Sequence, residues 1–376
     1  MFGKRIYLFK ILGFAVSIDT SWFVIAAIIT WSLAQGIFPE RFEKLSIQTY
    51  WLMGAAGALG LFGSIIFHEL CHSIVARQYG MPMKGITLFI FGGVAEMSDE
   101  PPSPKAEFMM AIAGPISSVA LGIMLYFVWK AGNWGGWPVP VNGVVRYLSW
   151  LNLMLAGFNM VPAFPLDGGR VLRSILWAVK KNLRWATRIA SQLGSWFGMF
   201  MIAVGVLSAF AGDLWSGVWW FLLGMFLRRA SQMSYQQLVI RKGLEGELVR
   251  HFMRTELITV PSSILLSELV ENYFYRYHFR IFPVVQDGAL VGCITSQQVK
   301  EVPREQWNQL TVAQVAAPCS PQTTISPNAD AMQVLALMNQ TGNSRLMVIE
   351  NGSLVGIITL KDMLKFLSLK IDLEKE

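Results

Sequence analysis

The sequence predicts an α-helical polytopic membrane protein, with about six transmembrane helices and a small membrane-associated β-sheet, followed by an α/β domain that stands in water. Three observations predict it. The 376-residue chain holds 53% hydrophobic and only 15% charged residues, and its mean hydropathy of +0.45 is too high for a soluble protein of this size. The apolar excess is confined: Ser21 to about Ser231 is a series of long apolar runs, and charge with short alternating segments returns from about Gly243. That last part also repeats itself once, with a period of about 60 residues, in a strand, helix and hairpin order.

Crossing the hydrocarbon core takes roughly 20 apolar residues per helix, and such runs lie near 20–38, 50–78, 104–129, 142–162, 186–211 and 214–231. Lys4, Arg5 and Lys10 precede the first run, Arg77 and Lys84 follow the second, and Arg170, Arg173, Lys180, Lys181 and Arg184 follow the fourth. Arg228, Arg229, Arg241 and Lys242 follow the sixth, whereas the loop after the fifth carries only Asp213. The positive-inside rule then puts both termini and the last domain in the cytoplasm, and the plasma membrane is the expected bilayer.

Between the second and third runs, MPMKGITLFIFGGVAEMSDEPP is too short and too punctuated by Gly and Pro for a helix. Alternation from Ile86 to Phe91, followed by Gly92 and Gly93, predicts a strand or hairpin at the membrane surface. Lipid does not tolerate unpaired strand edges. The segment is therefore expected to pair with itself, with the strand-like N-terminus Ile6 to Ile18, or with a substrate. Four segments follow: a membrane domain over 1–231, a linker over 232–247, and two small α/β copies over 248–306 and 307–370. In each copy an Asp-Gly or Asn-Gly turn, QDG or ENG, joins β-branched runs, which is a strong hairpin signal.

Charge and cysteines exclude other classes. The net charge of +7 comes from Lys and Arg set in loops beside apolar runs, which is a topology signal and argues against a nucleic-acid partner. Cys71, Cys293 and Cys319 have no paired spacing, so neither a disulfide framework nor a cysteine metal knuckle is expected. The N-terminal MFGKRIYLFKILGFAVSIDT lacks the small-residue site of a cleaved leader.

The sharpest chemical feature is FHELCHS in the second run. On a helix, i and i+4 share a face, so His68 and His72 aim two imidazoles at one ion, with Glu69 set to reach a water there without ligating the metal. Ionisable residues inside an apolar span are costly and mark function. Zinc needs a third protein donor and an open fourth position. His251 and His278 lie in the soluble part, and the better donor is Asp167 in NMVPAFPLDGGR, where Pro162 and Pro165 end the helix and Gly168 and Gly169 allow the chain to bend back. A helix cap or a pairing with Arg170 is the alternative role of Asp167. Asn159 is a candidate donor to a substrate carbonyl or oxyanion, or else an interhelical hydrogen-bonding residue. Cys71 reads as packing.

HELCH in an apolar helix, then FGGVAEM and AGPISS, then NMVPAFPLDGGR, together resemble the site-2 proteases, the intramembrane zinc metalloproteases, over most of the first 230 residues. The resemblance implies one Zn2+ per chain at His68, His72 and Asp167, a general base at Glu69, and substrate contacts around Asn159, Gly92 and Gly93. It implies cleavage of a membrane-anchored regulator within the lipid bilayer. The duplicated tail resembles a pair of cystathionine-β-synthase (CBS) domains, which implies an adenine nucleotide or a homodimer contact. The T-x-x-D of nucleotide-binding pairs is present as Thr359 and Asp362, but the first copy departs from it with Thr295 and Gln298. Arg280 or Arg345 could meet phosphate. A CBS-regulated transporter or channel is the competing reading; it would call for polar pathways through several spans, whereas here the costly groups converge on one constellation. A di-iron oxygenase would need more membrane histidines than two.

Overall fold

The computed structural model describes residues 5–81, 83–90, 92–97 and 100–373, and the chain divides into two compact units, Met1–Leu238 and Val239–Glu376. The first unit opens on a hairpin, β1 (Arg5–Ile11) and β2 (Phe14–Asp19), turned at Leu12 and Gly13 with positive φ. Seven helices and two more strands follow. They are α1 (Ser21–Arg41), α2 (Ile47–Gln78), β3 (Met83–Phe89), β4 (Gly92–Met97), α3 (Pro104–Trp134), α4 (Val139–Asn159), α5 (Asp167–Lys180), α6 (Leu183–Phe210) and α7 (Leu214–Leu244). Side-chain oxygens start four of the helices: Ser46 accepts from Thr49 N–H, Ser103 from Ala106 N–H, Asn182 from Trp185 N–H and Asp213 from Ser216 N–H.

Among the described residues, α1, α2, α3 and α6 are long and apolar enough to cross a membrane, so the chain is a membrane protein. The other two expected spans are helices as well, α4 and α7, with a different composition. Asn142, Arg146, Asn152 and Asn159 dilute α4, and the apolar stretch of α7 stops at Arg228 and Arg229. Residues 232–244, expected as part of a linker, are the last turns of α7, because neither Pro nor Gly interrupts them before Gly243.

The four strands form one sheet in the order β1-β2-β3-β4. Here β2 and β3 run parallel, with Val16 opposite Ile86 and Ile18 opposite Leu88, and the two outer pairs are antiparallel. One expectation is corrected by this register. Of the three pairings expected for the segment from Ile86, the structure has two, with β4 beside it and with β2 of the N-terminus, which leaves the segment no free edge for a substrate strand; Phe91 lies outside the described residues. Among the described residues, the free edge beside it belongs to β4, which carries Gly92 and Gly93. One face of the sheet packs on α2: Ile18 and Leu88 meet Phe62, and Phe14 and Ile86 meet Leu70. The strands are thereby held against the helix that carries H-E-x-x-H.

Chain reversal after α4 places Asp167. The helix ends at Asn159, and α5 starts with Asp167 itself. Gly168 and Gly169 serve this reversal by their size and not by a special backbone conformation. Neither has positive φ, but a Cβ on Gly168 would stand 2.3 Å from the Met160 carbonyl oxygen, and one on Gly169 would stand 2.4 Å from Phe164 N.

The second unit is built twice on one plan. In the first copy β5 (Val260–Pro261) lies parallel to β6 (Ile281–Gln286), which pairs antiparallel with β7 (Ala289–Thr295). In the second, β8 (Thr324–Ile325) lies parallel to β9 (Arg345–Glu350), which pairs antiparallel with β10 (Ser353–Thr359). Both hairpins turn where expected, at Asp287-Gly288 and Asn351-Gly352, with all four residues at positive φ, as a type I′ turn requires. Each copy has its own core, one around Val260, Leu266, Phe282 and Ile294, the other around Val334, Leu346, Val348 and Ile358. The entering segment pairs with the second copy first, through reciprocal backbone bonds between Arg254 and Ile357.

Candidate metal centre

Two helices bring three donor atoms together. His68 Nε2 and His72 Nε2, one turn apart on α2, are 3.1 Å from each other, and Asp167 Oδ2 from the start of α5 lies 2.9 Å from the first and 3.2 Å from the second. Four-coordinate zinc with bonds near 2.05 Å has ligand-to-ligand edges of roughly 3.3 Å. The observed triangle fits three donors to one such ion. Both rings are buried, as is most of the Asp167 side chain.

The far ring nitrogens are tied to α3. His72 Nδ1 lies 2.7 Å from the Met110 carbonyl oxygen and His68 Nδ1 lies 2.9 Å from Ser118 Oγ. A carbonyl can only accept, so the His72 proton sits on Nδ1 and its Nε2 lone pair faces the centre. Gly114 lies between these two anchors on α3, and a Cβ there would stand 2.2 Å from His72 Nε2 and 2.5 Å from His68 Nε2. The backbone of α3 thus forms the wall of the centre. None of Met110, Gly114 and Ser118 was singled out residue by residue from the sequence. The signal was present as AGPISS, a cluster of small polar residues in an apolar span.

Glu69 is half-buried beside the histidines, and β4 closes over it. A Cβ at Gly93 would lie 3.0 Å from Glu69 Cγ and 3.0 Å from Ile65 Cγ2. Asn159, half-buried, is the last residue of α4. The two other histidines are elsewhere: His251 Nδ1 is 3.0 Å from Glu247 Oε2, and His278 ends a helical turn at positive φ.

In the second unit, Asp362 is engaged. Its Oδ1 accepts from Arg254 Nε at 2.8 Å and Nη2 at 2.6 Å, while its Oδ2 accepts from the Thr359 hydroxyl at 2.5 Å. Burial alone would raise the Asp362 carboxyl, but the Arg254 and Thr359 hydrogen bonds outweigh it and hold the group below the ordinary carboxylate range. Thr359 also accepts the Asp362 N–H at 3.1 Å, so T-x-x-D here is a helix-starting box. Thr295 and Gln298 form the same kind of box in the first copy. Arg345 lies over the Phe279 ring at 4.4 Å and donates to the Ile281 carbonyl at 3.3 Å.

Comparison with known proteins agrees with this division. Residues 56–134 and 138–203 match the model of peptidase family M50, and residues 249–305 and 312–369 match the CBS domain. A candidate zinc metalloprotease of Synechocystis sp. is 33% identical over 95% of this chain and 94% of its own length. One from Mycobacterium tuberculosis is 31% identical over 95% of this chain and 91% of its own. Among solved structures, a site-2 protease from Methanocaldococcus jannaschii is 32% identical, covering 62% of this chain and 95% of that one with a TM-score of 0.46. With relatives this similar along nearly its whole length, a matching family model across its membrane helices and a second model across its tail, the chain belongs to peptidase family M50, the site-2 proteases, and carries a CBS pair behind its membrane unit.

Proposed function

We propose that this chain is an intramembrane zinc metalloprotease that hydrolyses peptide bonds in or near the transmembrane helix of a membrane-anchored protein. The observation that carries it is the convergence of His68, His72 and Asp167 within 3.2 Å of one another, with both histidines on α2, a helix apolar enough to cross a bilayer, and a carboxylate one residue along from the first histidine. In this reading the two histidines and Asp167 hold one zinc ion. When bound, zinc supplies a Lewis acid that acidifies a water and polarises the scissile carbonyl. Glu69 takes the proton of the attacking water and delivers it to the leaving amide nitrogen. Asn159 donates to the carbonyl oxygen. The unwound substrate lies along the free edge of β4, where Gly92 and Gly93 leave room for a second backbone. A transmembrane helix hides its peptide bonds in its own hydrogen bonds, so helix-weakening Gly, Pro or Asn near the cut should favour cleavage.

The same reading puts both termini and the CBS pair in the cytoplasm, the protein in the plasma membrane and two chains together through their CBS domains. It gives the tail an adenine nucleotide whose ribose takes Thr359 and Asp362; that ligand must compete with Arg254 for the carboxylate. Glu69→Gln tests the centre. The variant should hold one zinc per chain and lose cleavage by roughly 100-fold or more, whereas Asp167→Ala should lose both. Full zinc occupancy in Asp167→Ala would remove Asp167 from the ligand set.

A further inference from the structure

Deep in the first unit, Glu107 on α3 is fully buried and Arg173 on α5 is 5% exposed. Arg173 Nε donates to Glu107 Oε1 at 2.6 Å, and a terminal guanidinium nitrogen bonds the same oxygen. The guanidinium also lies 5.2 Å above the Phe164 ring, 3.3 Å from Glu100 Oε2 and 3.5 Å from Thr187 Oγ1 on α6. Its partners bracket the metal centre. Glu107 is one helical turn before Met110, whose carbonyl holds His72, and Phe164 and Arg173 flank Asp167 in the chain.

An ion pair buried this way is a poor choice for stability. Apolar residues of equal volume often hold a fold as well or better, and Glu107 Oε2 finds no hydrogen-bond partner among the described residues. What charge-assisted hydrogen bonds add is direction and length: apolar surfaces slide, and a guanidinium held on a carboxylate does not. The centre needs that, because its donors arrive on separate helices. The rings are registered to α3 through Met110 and Ser118, but Asp167 comes on α5, and metal sites tolerate about 0.2 Å of error in ligand distance.

We propose that Glu107 and Arg173 are positioning residues for the metal centre, a tie between α3 and α5 that holds Asp167 at ligand distance from the two anchored histidines. The inference rests on the zinc reading above. Neither residue touches the ion or the substrate; both act through Asp167.

The test uses the full chain in lipid nanodiscs, with zinc affinity measured by chelator competition, thermal unfolding followed in parallel, and kcat and KM measured on a membrane-anchored substrate. Native protein comes first: if it fails to bind one zinc per chain, the zinc reading fails, independently of this tie. Removing one partner alone strands a buried charge and threatens the fold, so the decisive variant is the double Glu107→Leu/Arg173→Met. It should unfold within a few degrees of native, bind zinc on the order of 10- to 100-fold more weakly, and lose kcat with KM unmoved. Arg173→Lys, which keeps the charge and loses the fork, gives a second reading in the same direction with a smaller loss. Native zinc affinity in either folded variant overturns the proposal.

Discussion

A single methyl group at Gly114 should empty the centre while leaving the protein folded. The Cβ of Gly114→Ala would lie 2.2 Å from His72 Nε2 and 2.5 Å from His68 Nε2, against an ordinary contact that begins at 3.4 Å. About 1.2 Å of displacement is needed, and it falls on the two atoms that bind the ion. Neither ring can swing away freely, because the Met110 carbonyl and the Ser118 hydroxyl hold their far nitrogens. Overpacking of this kind costs about 1–3 kcal/mol, which a folded protein can absorb. A metal site cannot: it tolerates about 0.2 Å, and a misplacement near 1 Å costs about 100-fold in rate. Zinc affinity by chelator competition and cleavage of a reconstituted membrane substrate should both fall by about 100-fold or more. Gly63→Ala on α2, where the added Cβ meets nothing within 4 Å, is the control and should leave both unchanged. Native zinc affinity within threefold in Gly114→Ala would refute the geometry.

Three further outcomes separate the parts of the site. Ser118→Ala removes the partner of His68 Nδ1 and should weaken zinc binding by about 10- to 100-fold; unchanged affinity would show that Ser118 only packs. Gly93→Ala brings a Cβ to 3.0 Å from Glu69 Cγ, so zinc content should stay native while kcat drops; loss of metal would mean that β4 supports the ligands and not the base. In the second unit the Asp362 carboxyl is held below its ordinary value by Arg254 and Thr359. The stability it contributes is then present above the unfolded carboxylate pKa of about 3.9 and disappears as pH falls through the lower folded value. Arg254→Ala should destabilise this unit at pH 7 by about 0.5–1 kcal/mol given the exposure of Arg254, and the gap to native should shrink as pH falls from about 4 towards the lowered folded value. A gap that does not shrink as pH falls below about 4 would show that Arg254 acts by packing.

Much was legible in the sequence because it rests on local rules. Apolar run lengths located the helices, the four-residue spacing of His68 and His72 put two imidazoles on one face, and the Asp-Gly and Asn-Gly turns marked two hairpins and hence the duplication. Glu69 followed from its place beside His68 on the same helix, and Asp167 from the Pro and Gly residues that bend the chain around it. What only the tertiary structure decided are relations between residues far apart in the chain. Pairing β3 with both β2 and β4 removed the free edge expected near Ile86 and moved it to Gly92 and Gly93. Folding Gly168 and Gly169 onto Met160 and Phe164 showed that their smallness, and not their φ, brings Asp167 back. Packing α3 against α2 turned a cluster of small residues into the anchors and wall of the centre, and packing it against α5 made Glu107 and Arg173 a buried pair. Helix and turn preferences act over a few residues and are written in local spacing. Which faces meet is set by packing summed over the whole unit, and no window of the sequence contains that sum.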